Sequence, residues 1–218
     1  MNPASSAPPE PPRDCLVCPR LVDFRAATRG NHPGWFNGAV PSFGAPDARL
    51  LIVGLAPGRA GANRTGRPFT GDFAGELLYP TLLKFGFARG VYDAQPDDGL
   101  SLVGAMVTNA VRCVPPKNRP TGAEVRACRD FLAARIRALP GLSHIVTLGR
   151  IAHDSTVRAL GARLAEHPFG HARASEIDGL RLRASYHCSR YNTNTGRLTA
   201  AMFEDVFAAV RDEMGASV

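Results

Sequence analysis

The sequence has little lysine and no long hydrophobic run. Its positive charge therefore comes from arginine, and a membrane-spanning protein is not expected. Lys84 and Lys117 are the only lysines in 218 residues, so arginine carries almost all of the net charge of +7. No apolar run approaches the roughly 18 residues of a membrane-spanning helix. Segment 1–13 has neither the apolar core of a signal peptide nor a twin-arginine pair. We therefore expect a cytoplasmic protein in which 1–13 is a disordered lead-in to one domain over 14–215.

Two common nucleotide-binding loops are absent as well. The chain has neither the Gly-Lys-Ser/Thr ending of a phosphate-binding loop nor the fixed glycine spacing of an NAD site. Instead, a loop over 54–71 that is rich in glycine and arginine comes directly after the apolar run Leu50–Val53. At the carboxyl end of a parallel strand, such a loop lets the backbone approach a ligand closely. This predicts a ligand site after the first strand.

Apolar runs alternate with helical spacing along the chain. Buried strands are predicted at Leu50–Val53, Ala105–Val111 and His144–Leu148, and a fourth begins at Leu180 after the tight turn Asp178-Gly179. Helices are predicted at 21–28, 73–85 with a kink or restart at Pro80, 121–139 after a capping box, 150–160, and after 199 to about 214. This alternation predicts the α/β class: a three-layer α/β/α sandwich with a mostly parallel, four-stranded central sheet. Asn109 and His187 should lie at its carboxyl edge with the glycine loop.

The basic balance, with a pI of about 9.6, suits a polyanionic partner. Guanidinium groups pair with phosphates at two points, and a basic face attracts nucleic acid. A genomic base composition that favours arginine codons explains the same excess equally well. Charge alone therefore does not identify the partner.

Four of the five cysteines form a set that suits a metal site. Cys15 and Cys18 make a Cys-x-x-Cys pair, and Cys113 and Cys128 follow with 14 residues between them. In a cytoplasmic protein, four thiolates indicate zinc or an iron–sulfur cluster, and the pattern does not separate the two. The alternative is four unconnected buried cysteines. Cys188 is left over, beside His187.

Two stretches of the sequence resemble motifs of one enzyme family. The segments GLAPG (54–58) and NRTGRPFTGD (63–72) resemble the first motif of the family 5 (type B) uracil-DNA glycosylases. The stretch HCSRYNTNTGRLT (187–199) resembles their second motif, His-Pro-Ser-Pro followed by Thr-Gly-Arg-Leu-Thr. The resemblance covers about 15–199, and its one departure is that Cys188 and Arg190 replace the two prolines.

The resemblance assigns roles to residues that also have ordinary structural explanations. Alone, Asp72 is explained as a helix N-cap, Phe69 as core, Asn109 as a strand-end backbone partner and His187 as a buried structural group. By resemblance, Asp72 is the catalytic carboxylate, and His187 donates to the uracil oxygen that gains charge. Phe69 stacks on the extruded base and Asn109 reads its edge.

The resemblance also implies contacts with the base and with DNA. Gly54 and Ala56 would border the base, and the apolar pair Leu55-Ala56 stands where other families carry a carboxylate. Ser189 would grip a phosphate, and the loop 190–194 would enter the minor groove with Arg190 or Tyr191 as the wedge. The residues implied to bind DNA are Ser189, Arg190, Tyr191, Asn192 and Arg197.

Taken together, these features predict a monofunctional DNA glycosylase that flips uracil out of double-stranded DNA and hydrolyses its bond to deoxyribose. Other deaminated or adducted bases are alternative substrates. Neither motif contains a lysine, so a Schiff-base lyase step is not expected. The resemblance implies a structural 4Fe-4S cluster on Cys15, Cys18, Cys113 and Cys128, and we expect a monomer. The alternatives are a relative with altered base preference or tight uracil-DNA binding, and a non-catalytic, metal-stapled DNA-binding protein.

Overall fold

The four predicted strands form the parallel centre of one sheet in the computed structural model, which describes residues 8–215. The strands are β1 (Phe43–Gly44), β2 (Leu50–Gly54), β3 (Ala88–Arg89), β4 (Ser101–Leu102), β5 (Ala105–Asn109), β6 (His144–Leu148), β7 (Ala174–Ile177) and β8 (Leu180–Ser185). The main sheet has the order β1-β5-β2-β6-β8-β7, and β3 pairs with β4 separately. The α/β class and the mostly parallel sheet are confirmed, but this sheet has six strands, whereas four were predicted.

The two additional strands lie at the edges of the sheet and pair antiparallel with their neighbours. β1 is two residues long, and β7 is exposed along most of its length. Edge strands of this kind need no apolar run, because one side of each stays open to solvent. β7 reaches β8 through Asp178 and Gly179, with φ of 49° and 77°, which is the left-handed turn that Asp-Gly predicts.

Helices cover both faces of the sheet. They are α1 (Pro19–Asn31), α2 (Ala62–Thr65), α3 (Phe73–Lys84), α4 (Gly122–Arg137), α5 (Arg150–Ala159), α6 (Arg190–Asn194) and α7 (Ala200–Gly215), and a 3-10 turn spans Pro116–Asn118. Side chains of β2 alternate between the two faces: Leu50 and Ile52 pack with α3 and α7, whereas Leu51 and Val53 pack with α4 and α5. All four are fully buried, and each such side chain contributes about 1.5–3 kcal/mol.

Local sequence signals fix most helix boundaries. Thr121 Oγ1 accepts from the Glu124 backbone N–H, and Glu124 Oε2 accepts from the Thr121 N–H at 2.7 Å, so the predicted capping box is confirmed. Of the kink or restart predicted at Pro80, the restart is wrong, because α3 continues through Pro80 to Lys84. Pro80 lies on the exposed side of α3, where water can bond the carbonyl that loses its partner.

The connections that leave the neighbouring strands β2 and β6 run in opposite directions along the sheet. β2 leads through α3 to β5 on one side, and β6 leads through α5 to β8 on the other. Because α3 and α5 lie on opposite faces, a crevice opens between the carboxyl ends of β2 and β6. The glycine loop therefore enters this crevice from one side, and the segment after β8 approaches it from the other.

Part of the predicted lead-in packs against the domain. Residues 1–7 and 216–218 lie outside the described residues. Glu10 forms ion pairs with the fully buried Arg112 and with Arg135, and its carboxylate accepts from the Ser42 N–H. The packed part of the chain thus begins upstream of residue 14. In the part of the chain that the structure describes, no helix is long and apolar enough to cross a membrane.

Candidate active site

The glycine loop opens space for the carboxylate of Asp72. A side chain at Gly61 would place its Cβ 2.5 Å from Asp72 Oδ2, so this position beside the carboxylate needs glycine, and at Gly58 the same distance would be a tight 3.1 Å. Asp72 also caps α3, since Oδ1 accepts from the Gly75 N–H at 3.2 Å. Burial raises the pKa of Asp72 above its usual value, and the backbone N–H groups of Gly75 and Ala74 partly offset this effect.

Phe69 is held in a strained backbone conformation by its neighbours. Its φ of 54° lies in the left-handed region, which costs a bulky residue free energy. Tyr92 donates to the Phe69 carbonyl at 3.2 Å, and Tyr79 donates to the carbonyl of Pro68. A Cβ at Gly75 would collide with the same Phe69 carbonyl oxygen. These contacts hold the backbone of Phe69 in place.

A buried ion pair supports the loop that carries Phe69. Arg67 donates to both carboxylate oxygens of Asp98, at 2.8 and 2.7 Å, and its Nε donates to Thr70 Oγ1. Arg67 and Asp98 are 5% and 2% exposed, and the guanidinium of Arg67 lies over the rings of Tyr79 and Tyr92. The pKa of Asp98 is lowered well below its usual range, mainly by the bond from Arg67.

Asn109 and Phe69 meet at Gly54. Any Cβ at Gly54 would collide with Asn109 Oδ1 and with the Phe69 ring, so the predicted base-reading and base-stacking residues are in contact range of one glycine. Asn109 is 3% exposed. Within residues 8–215, its Oδ1 has no hydrogen-bond partner. A buried acceptor left without a donor carries a cost of about 1–3 kcal/mol, which a bound ligand with an N–H group would remove.

His187 enters the crevice from the end of β8. Gly149, at φ 94°, would place a Cβ 3.2 Å from His187 Cβ, so the turn after β6 makes room for this ring. The His187 and Phe69 ring centroids are 6.2 Å apart at 27°. Asn192 Nδ2 donates to the His187 carbonyl at 2.8 Å. Removal from water lowers the pKa of His187 to about 4, so the imidazole is neutral at pH 7.

A cleft of about 710 Å³ lies between these elements, within the range of small-molecule sites. Its lining includes six of the predicted site residues: Ala56, Asp72, His187, Ser189, Arg190 and Tyr191. Gly54, Phe69 and Asn109 are buried and do not line it, and Phe69 reaches its wall through the ring contact with His187. Arg197 lies elsewhere, over the ring of Tyr186 at 4.6 Å.

The segment 190–194 is a helix, α6, where a loop was predicted. Ser189 caps it by accepting from the Asn192 N–H, which explains why a polar segment without apolar periodicity becomes helical. Tyr191 is 73% exposed at the mouth of the cleft, whereas the Arg190 guanidinium lies over Phe73 at 5.2 Å. Tyr191 is therefore the freer of the two wedge candidates.

A basic loop that the sequence motifs did not predict lines the same cleft. Lys117, Asn118 and Arg119 lie on its wall, and Lys117 and Asn118 have φ of 54° and 55°. Arg150, at the start of α5, is a further basic lining residue. The signal was present as a basic run between prolines soon after Asn109. The cleft thus does hold a lysine, outside both motifs.

The four cysteines of the predicted metal set converge on one cavity. Cys15, Cys18, Cys113 and Cys128 all border a small cavity of about 20 Å³ that is partly open to solvent. In the described part of the chain, no three His, Cys, Asp or Glu side chains stand in the geometry of a bound metal ion. Four thiols with two N–H donors nearby nevertheless suit a thiolate-bound cluster. Arg25 donates to Cys113 Sγ at 2.9 Å, and the Arg112 N–H to Cys128 Sγ at 3.3 Å.

Comparison with known proteins agrees with this geometry. The sequence profile of the Uracil DNA glycosylase superfamily matches residues 41–211. A type-5 uracil-DNA glycosylase of Thermus thermophilus is 47% identical over 199 residues, which cover 88% of this chain and 90% of the relative. One of Pyrobaculum aerophilum is 37% identical over 206 residues, covering 93% and 90%. A type-4 uracil-DNA glycosylase of the same organism is 36% identical over 126 residues, covering 57% and 56%. The chain therefore belongs to the uracil-DNA glycosylase superfamily, among its type-5 members.

Proposed function

We propose that this enzyme removes uracil from DNA by hydrolysing the bond between the base and deoxyribose. One observation carries the proposal: Asp72 and His187, from distant parts of the sequence, line the same cleft. The Phe69 ring is in contact with His187, and Asn109 lies beside Phe69 at Gly54. A base that leaves deoxyribose needs a carboxylate near the sugar and a donor near the departing base. These four side chains supply both needs and an aromatic surface.

Asn109 and Phe69 recognise the flipped base. Uracil presents an N3–H donor between two carbonyl acceptors. The Oδ1 atom of Asn109, unpaired among the described residues, accepts from N3–H, and the amide N–H₂ donates to a neighbouring carbonyl. The Phe69 ring stacks on the base once it has left the duplex. An unpaired, buried acceptor thus gains its partner when uracil binds.

His187 stabilises the departing base without becoming charged first. Because desolvation lowers its pKa to about 4, the imidazole is neutral at pH 7 and donates one N–H to a uracil oxygen. Negative charge grows on that oxygen as the glycosidic bond breaks, so the hydrogen bond strengthens toward the transition state. Asn192 holds the backbone of His187 in place through its carbonyl.

Asp72 acts on the sugar and on water. Among the described residues, Asp72 is the one carboxylate that lines the cleft. The apolar pair Leu55-Ala56 lines it as well and offers no second carboxylate. An ionised Asp72 stabilises the oxocarbenium character of the sugar and orients or deprotonates the attacking water. Its low exposure to solvent strengthens both interactions.

The partner in this proposal is double-stranded DNA, bound by a monomer. Lys117, Arg119 and Arg150 supply positive charge on the wall of the cleft, which Ser189 and Arg190 also line. Tyr191 fills the space that the flipped nucleotide leaves. Lys117 is exposed and lacks the desolvation that activates Schiff-base lysines, so base release proceeds by hydrolysis without strand cleavage.

Cys15, Cys18, Cys113 and Cys128 would hold a 4Fe-4S cluster in this proposal. The group supplies a structural cross-link, since hydrolysis of an N-glycosidic bond transfers no electron. This chain's own residues tie that region to the sheet: Arg25 bonds both Cys113 Sγ and the Cys15 carbonyl. Broad visible absorption of the purified protein, with iron and sulfide in equal amounts, would support the cluster, whereas a colourless zinc protein would contradict it.

A second candidate is a relative with altered base preference, which the changed second motif favours. Cys188 is fully buried in the core, so the thiol itself does not enter the cleft. Arg190 does line the cleft, where the family has proline. Hypoxanthine and ethenocytosine are the alternative bases.

Base release from duplexes that carry one modified base tests both candidates. We expect the cluster-loaded protein to make the uracil duplex alkali-labile, and an Asn109→Leu variant of similar volume to lose this activity. Release of hypoxanthine or ethenocytosine with no release of uracil would favour the second candidate. No release from any of the three duplexes would contradict the proposed function.

A further inference from the structure

A second groove lies beside the cleft, between α4 and α5. It has a volume of about 390 Å³ and shares the lining residue Ile151 with the cleft, so the two depressions are neighbours on the surface. Three arginines line it: Arg126 and Arg129 from α4, and Arg158 from α5. Neither motif of the family includes any of the three.

Within the part of the chain that the structure describes, none of the three guanidinium groups of the groove forms an ion pair. Across residues 8–215, no carboxylate lies within 4.0 Å of Arg126, Arg129 or Arg158, whereas many other arginines are paired. The buried Nε of Arg129 likewise has no hydrogen-bond partner in this part of the chain. Asp154 lines the groove and Asp130 lies close enough to act on Arg129, but two carboxylates against three guanidinium groups leave the groove positive.

A buried hydroxyl in the same lining also lacks a partner. Ser155, on α5, is fully buried, yet its Oγ bonds to nothing within the described chain. Most buried hydroxyls are satisfied, so an unpaired one at the wall of a cationic groove indicates a ligand with acceptor oxygens. Burial and repulsion by Arg158 and Arg126 lower the pKa of Arg129, a repulsion that an anion would relieve.

We propose that this groove binds a phosphate of the DNA backbone, away from the nucleotide that enters the cleft. The proposal rests on the proposed function for the orientation of the duplex. DNA is favoured over a free phosphate because the groove adjoins the cleft at Ile151, and Arg119 and Arg150 line that cleft. A duplex seated over the cleft therefore extends its backbone toward α4 and α5.

The salt dependence of binding to an undamaged duplex of about 30 base pairs tests this site without requiring excision. Each phosphate that a protein neutralises contributes about 0.9 to the slope of log K against log salt. We expect the Arg129→Gln/Arg158→Gln variant to lose about one such unit of slope. Arg181→Gln, an exposed arginine at the amino end of β8 on the opposite edge of the sheet, is the matched control and should leave the slope unchanged.

The outcomes separate this proposal from the proposed function. An unchanged slope in the double variant, with the variant folded and cluster-loaded, would overturn the phosphate site. Binding of inorganic phosphate in the groove, with DNA binding unchanged by that phosphate, would also overturn the phosphate site. If uracil release is absent but the slope falls as expected, the phosphate site stands and the proposed reaction fails. Ser155→Ala should weaken binding at every salt concentration by less than the double variant and preserve the slope.

Discussion

The cleft and the cysteine cavity differ in how their polar atoms are satisfied. In the cleft region, Asn109 Oδ1 has no partner within residues 8–215, Phe69 has a strained backbone and Asp72 is desolvated. Around the cysteine cavity, the sulfur atoms of Cys113 and Cys128 already receive N–H donors, although the Nε of Arg25 is unpaired within residues 8–215. An unpaired acceptor beside a strained backbone marks a region that binds a transient ligand, whereas sulfur atoms that already receive donors mark a region built for permanence. Substitution in the cleft should therefore lower activity and leave stability intact, whereas substitution at the cysteine cavity should lower stability and leave activity intact.

The largest expected effect is the separation of activity from stability at Asp72. Asparagine is as good an N-cap as aspartate, so Asp72→Asn keeps the cap on α3. We expect uracil release to fall about 1,000-fold, a typical loss for one preorganised electrostatic group. Because burial raises the pKa of Asp72, the charge costs stability at pH 7, and the variant should be at least as stable as the parent.

Single-turnover rates and thermal unfolding of the two proteins measure this separation. Retention of most activity in Asp72→Asn would move the catalytic role elsewhere and remove the contrast between the cleft and the cysteine cavity.

The opposite response is expected at Cys113. Cys113→Ser should abolish the visible absorption of the proposed cluster and lower the free energy of unfolding by several kcal/mol, since ligand binding and folding are coupled at such sites. Molecules that remain folded should release uracil at the parent rate. Cys188→Ser is the matched control, because Cys188 is buried outside the cysteine cavity. A rate per folded molecule that drops with the absorption would show that the cavity serves catalysis directly.

The pH dependence should sharpen the comparison, because both predicted catalytic residues in the cleft have shifted pKa values. Uracil release needs ionised Asp72, and burial raises its pKa, so the rate should begin to fall at a pH above the usual carboxyl range. Neutral His187 is lost only near its pKa of about 4, and this adds a second, lower fall.

The linkage to stability has a definite sign for His187. Between about pH 6.5 and pH 4 the unfolded chain binds a proton that the folded chain does not, so acidification through this window destabilises the protein. A His187→Gln variant should lose this part of the pH dependence in denaturant titrations. An identical dependence in parent and variant would contradict the lowered pKa.

The smallest effect is expected from Tyr92→Phe, which removes the hydroxyl that bonds the Phe69 carbonyl. The strained backbone of Phe69 retains the neighbouring contact through Tyr79, so we expect a loss of about three- to tenfold in kcat/KM, the cost of one hydrogen bond. The loss should be larger for single-turnover release than for binding of undamaged DNA. An equal loss in both would mean that Tyr92 supports the fold as a whole rather than Phe69.

The sequence was sufficient for the parallel core and for the cleft, because both rest on local patterns. Apolar runs set β2, β5, β6 and β8, and the two motifs brought Asp72 and His187 to one place. The edge strands, the basic loop at Lys117 and the helix α6 were missed or misjudged. Each is short, and its conformation depends on pairing, left-handed residues or a single cap, for which a hydrophobic pattern has no signal.

Long-range polar contacts were equally invisible to sequence patterns. The Arg67–Asp98 pair joins residues 31 positions apart, and Glu10 meets Arg135 across 125 positions. Neither partner can be inferred from spacing, because arginine is frequent along the whole chain. For the same reason, the arginines of the α4–α5 groove contributed to the sequence analysis only as part of the overall charge.

The ion pair between Glu10 and Arg112 has a practical consequence for anyone who prepares this protein. A shortened version that starts at residue 14, or a protease site placed there to remove an affinity tag, would delete the carboxylate that accompanies a fully buried guanidinium. Removing one partner of a buried pair destabilises by about 3–5 kcal/mol. Purification handles therefore belong upstream of residue 8, or at the other terminus.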